Sequence, residues 1–65
     1  MTEDQIKQVE EKLETLRTVL KKAARNGNYL SVNCIKNKLE GINFMLNLLG
    51  YKTTLEDDRV KIVEM

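Results

Sequence analysis

Few side chains in this sequence have the means to do chemistry. The one thiol, Cys34, stands in a chain of 65 residues with no histidine, so the usual base for a cysteine nucleophile is missing. A lone cysteine also closes neither an intramolecular disulfide nor a zinc cluster. It falls on an apolar helix face, where a small buried hydrophobe is the expected role. The run Glu56, Asp57 and Asp58 has oxygen ligands for a hard cation but lacks the glycine and the spaced donors of a calcium loop, so a solvated turn is expected. Tyr29 and Tyr51 adjoin the two ends of one helical segment, where an aromatic body with a polar tip seals the edge of a core. No catalytic residue, metal ligand or cofactor site is assigned on these grounds. The chain is expected not to be an enzyme.

Charge is the second candidate chemistry. The formal net charge is only +1, yet between residues 15 and 39 there are six bases and no acid: Arg17, Lys21, Lys22, Arg25, Lys36 and Lys38. A tight turn in the middle of that stretch brings all of them to one end of the molecule, where they have the charge to neutralise phosphates or an acidic protein. The helix dipole accounts for part of the pattern without any ligand, since it favours acids early and bases late in the first helix. Tyr29 is the only aromatic near that tip, so no stacking platform for single strands is present.

These residues are positioned by two helices and a short tail. Thr2 with Gln5 three residues later has the form of a capping box, and Glu3 and Asp4 suit the positive end of a helix. From there Ile6, Val9, Leu13, Leu16, Leu20 and Ala23 recur in steps of three and four, which predicts an amphipathic helix over about residues 2–26. Its opposite side, including Gln8, Glu11, Glu14 and Lys21, is polar, so it reads as an outer helix that buries one face. Asn26, Gly27 and Asn28 end it and start the next, because Gly and Asn accept the left-handed backbone that closes a helix. Val32, Ile35, Leu39, Ile42, Leu46 and Leu49 repeat the rhythm over about 29–49, with Gly50 as the stop. Two seams joined by so short a link give an antiparallel αα-hairpin. Apolar residues then alternate with polar ones from Tyr51 to Leu55 and again at Val60 and Ile62. That predicts a β-hairpin over about 51–64 with a turn of three residues or slightly more. The chain is thus expected to be one small, mainly α domain of ααββ order.

The second helix is apolar on a further side. Leu30, Cys34, Gly41, Phe44, Met45 and Leu48 gather opposite its first seam at 100° per residue. Glycine in a helix interior costs about 1 kcal/mol relative to alanine, so Gly41 suggests a close backbone approach there. Three occupants compete for this side: the C-terminal strands folded back with Leu55, Val60 and Ile62 as cover, a second copy, or a different protein. A two-fold dimer forming a four-helix arrangement is the favoured expectation.

Residues 22–39, with the core Ala-Ala-Arg-Asn-Gly-Asn-Tyr, resemble the helical hairpin of the UVR interaction motif of nucleotide-excision repair proteins. They lack the Arg-Asp that follows in that motif, they cover under a third of the chain, and no site residue is carried over. No apolar run approaches the roughly 20 residues of a membrane span, and residues 1–7 do not resemble a secretory signal. A cytoplasmic setting is therefore expected. The leading expectation for function is a small non-catalytic protein–protein interaction module, a homodimeric regulator or adaptor of bacterial or phage type. It needs no cofactor and docks through Leu30, Cys34, Gly41, Phe44, Met45 and Leu48. The alternative is a nucleic-acid-binding module that uses the basic tip.

Overall fold

Thr2 begins the first helix as the sequence predicts. In the computed structural model, which describes all 65 residues, Gln5 N–H donates to Thr2 Oγ1 at 3.2 Å and Thr2 N–H donates to Gln5 Oε1 at 2.9 Å. Two of the four otherwise unpaired donors of the helix start are thereby satisfied. Helix α1 runs Glu3–Arg25. It closes on Gly27 at φ +69°, with Asn28 N–H reaching back to the Ala23 carbonyl at 2.9 Å and Gly27 N–H to that of Ala24 at 3.2 Å. This double closure returns the chain within three residues. Asn28 then accepts Ser31 N–H through its side chain and opens helix α2, Tyr29–Leu48. Gly50 at φ +88° ends α2 and turns the chain into the strands.

Strands β1 (Tyr51–Glu56) and β2 (Arg59–Glu64) form a two-stranded antiparallel sheet. Their turn holds two residues rather than the expected three or more. Asp57 and Asp58 both take the left-handed backbone, at φ 51° and 62°, the conformation whose twist matches that of the flanking strands. Neither is a glycine, so the turn is held from outside: Arg17 of α1 donates to the Asp58 carbonyl and to its carboxylate, both at 2.7 Å.

The register pairs Thr53 with Ile62 and Leu55 with Val60, which puts Tyr51, Val60 and Ile62 on one face of the sheet. That face lies on the helix pair. Leu13 from α1, Leu46 from α2 and Ile62 from β2 meet at its centre, with Ile6, Val9, Leu39, Ile42, Tyr51 and Val60 packed around them. Thr53 adds a hydroxyl bond to Asn43 Oδ1 at 3.2 Å. The strands do fold back, but onto the seam side of the helices. They do not cover Gly41, as one of the expected arrangements required, and Leu55 remains exposed.

The two edges of the sheet are treated differently. Antiparallel pairing turns alternate N–H groups outward. On β2 these are Val60, which donates to Glu14 Oε1, and Ile62, which donates to Glu10 Oε2 at 2.8 Å. Helix α1 therefore lends two carboxylates to the edge of β2. It buries one face, as its pattern predicts, but that face is wider than the apolar seam and takes in Glu14, which the pattern had placed on the polar side. On β1 the outward groups of Thr53 and Leu55 meet no partner within the chain.

Candidate interaction surfaces

With the sheet on one side of the helix pair, the remaining apolar residues of α2 divide into two surfaces. Leu30, Phe44 and Leu48 form a flank that turns away from α1, and they are 81, 62 and 67% exposed. Cys34 is on the same flank and is also exposed. The expectation that it is a buried hydrophobe therefore fails within the chain: the face it occupies has nothing packed on it. Tyr29, expected to seal the core edge, is likewise exposed because it precedes the level that the strands reach. Tyr51 does pack against the core, and its hydroxyl accepts the Met1 ammonium at 3.2 Å.

Gly41 and Met45 belong to the second surface. They line a groove of about 570 Å³ between α1 and α2 on the side opposite the sheet, floored by Val9, Leu16, Ile42, Leu46 and Leu49. No strand residue contributes to it. Leu46 thus serves two layers, touching Ile62 on one side and the groove on the other. The sequence grouped Gly41 and Met45 with Phe44 and Leu48 because all four fall within one broad arc of the helix. The position of α1 splits that arc, and only a tertiary contact reveals the split.

The six cations of the tip are dispersed over different environments. Arg17 forks onto Asp58 and also lies 4.0 Å from Glu14, so it belongs to the hairpin latch. Its hydrogen bond to Asp58 raises the Arg17 pKa further. The same bond, reinforced by the charge of Lys21, holds the Asp58 carboxyl below the ordinary aspartate value. Lys38 stands on the wall of the apolar groove. That leaves Lys21, Lys22, Arg25 and Lys36 of the six without a hydrogen bond, ion pair or groove contact, Lys21 reaching Asp58 only through the field of its charge.

A cleft between α1 and β2 holds Glu10, Glu11 and Glu14 beside Arg59 and Lys61. Two of these carboxylates already accept backbone N–H groups, so the cluster is a structural clamp on the strand edge. No three of the chain's Cys, Asp and Glu side chains gather closely enough to hold a metal ion. No helix is long and apolar enough to cross a membrane. Compared with protein-family models, with curated proteins and with solved structures, the chain matches none, so the two apolar surfaces of α2 stand as its candidate functional features on geometry alone.

Proposed function

We propose that this chain is a non-catalytic protein–protein interaction module whose second helix is the adhesive element, and that its first partner is a second copy of itself. The observation that carries this reading is the flank of Leu30, Phe44 and Leu48, three large apolar side chains that are each more than 60% exposed on one ordered helix. Phe44 and Leu48 are one helical turn apart, and Leu30 lies on the same flank about 20 Å further along the axis. The exposed apolar residues thus form a line down one side of the helix, and apolar surface aligned in this way marks a place of association. Burying such side chains contributes about 1.5–3 kcal/mol each, and a two-fold contact buries each of them twice. That is on the scale of the roughly 4–15 kcal/mol that association costs. The core offers further support: only six residues are buried, so the domain gains from any additional cover.

Sedimentation equilibrium on the purified protein tests the reading. The wild type is expected to sediment as a dimer, and Phe44→Asp and Leu48→Asp as monomers with unchanged helical circular dichroism. A wild type that stays monomeric at the highest soluble concentration overturns self-association.

A further inference from the structure

The groove behind the helix pair has its own charge and shape, and both differ from those of the Phe44 flank. We infer that it seats an acidic amphipathic helix of another protein, laid between α1 and α2 as a third helix. The inference rests on the reading of the chain as a docking protein but not on the dimer.

Three observations point to that occupant. The floor is apolar and continuous: Val9, Leu16, Ile42 and Met45 lead into a second depression beside Met1, Gln5 and Gln8. A helix with apolar residues at intervals of three and four matches such a strip. The only charged side chains on the groove are Lys12 and Lys38, one from each helix. No carboxylate lines the groove, and Glu10 and Glu14 of α1 are bonded to the edge of β2. A second copy seated groove to groove would bring two more lysines and no carboxylate, whereas a partner with Asp or Glu flanking its apolar stripe pairs with both. Finally, a β-carbon built on Gly41 meets no atom within 4 Å. Nothing inside the chain requires glycine at this helical position, where alanine forms a more stable helix. Its effect is to lower the groove wall so that another backbone can approach.

The probe is a synthetic amphipathic helix with leucines at i, i+3, i+4 and i+7 and glutamates on both flanks, compared with a version carrying lysines in their place. Both are titrated into Phe44→Asp protein, in which the proposed dimer contact is removed, so that failure of the groove and failure of self-association are read separately. Fluorescence anisotropy is expected to show the glutamate peptide binding more tightly than the lysine peptide by at least roughly tenfold. Methyl resonances of Val9, Leu16, Ile42 and Met45 should move with it. Replacing Lys12 and Lys38 together by Glu should invert the order of the two peptides. Gly41→Ala should melt at or above the temperature of its parent while binding the glutamate peptide at least roughly tenfold more weakly, which separates a docking role from a folding role. Equal binding of the two peptides, binding by neither, methyl shifts confined to Leu30 and Leu48, or undiminished affinity in Gly41→Ala would each overturn the inference.

Discussion

Replacing Glu10 or Glu14 by alanine should strip the outer edge of β2 of its hydrogen-bond acceptors and loosen the hairpin from α1. In each case a partly buried N–H, that of Ile62 or of Val60, loses a carboxylate partner. A hydrogen bond to a charged group contributes about 1.5–3 kcal/mol, against about 1 kcal/mol for a neutral pair. Each alanine variant is therefore expected to lose about 1.5–3 kcal/mol, and each glutamine variant, which keeps an acceptor but not the charge, about half of that. A domain of this size has a total stability of roughly 3–10 kcal/mol, so the double alanine variant should sit at the edge of unfolding. Urea denaturation followed by far-ultraviolet circular dichroism measures the loss. Native-state amide exchange locates it, because the Val60 and Ile62 amides should lose protection before those of the α1 interior. Alanine variants within about 0.5 kcal/mol of wild type, the scatter of ordinary surface substitutions, would show that the two carboxylates are incidental. Unchanged exchange at both amides would show the same.

The Arg17–Asp58 latch should be sensitive to acid. The folded pKa of Asp58 is depressed, so its contribution is present above the unfolded value near 3.8 and is lost as the pH falls through the lower folded value. Amide exchange at the hairpin turn should accelerate over that range in wild type and show no such step in Asp58→Asn. In the core, Leu13 is 3% exposed against Leu46 and Ile62, and Leu13→Ala should cost about 2–5 kcal/mol, whereas Leu13→Met should cost under about 1.5 kcal/mol. Thermal melts check both, and an alanine variant that melts within a few degrees of wild type would count against that centre of packing.

Helix starts and stops were readable because their signals are local. The Thr2–Gln5 box, the Gly27 closure and the Gly50 stop each involve residues within five positions of one another, and each is found where the sequence puts it. The strands were legible from their alternation, but their turn was not. Asp57-Asp58 carries no glycine to announce a left-handed pair, and the group that holds it, Arg17, lies 41 residues away. Glu10 and Glu14 were hidden for a related reason. Helical periodicity assigns a carboxylate to water, and only the arrival of β2 converts these two into strand partners. The apolar excess of α2 was visible in the sequence, but its division into a flank and a groove depends on where α1 and the sheet lie, which no pattern within α2 encodes.

The unequal edges of the ribbon limit how far this chain can stack. The outward N–H groups on its β2 rim are taken by glutamates, and those on the rim at Thr53 and Leu55 are bare. A strand approaching the β2 rim finds its N–H donors already bonded to carboxylates and meets negative charge there. Open-ended fibril growth, which needs two receptive rims, is thereby opposed at one of them.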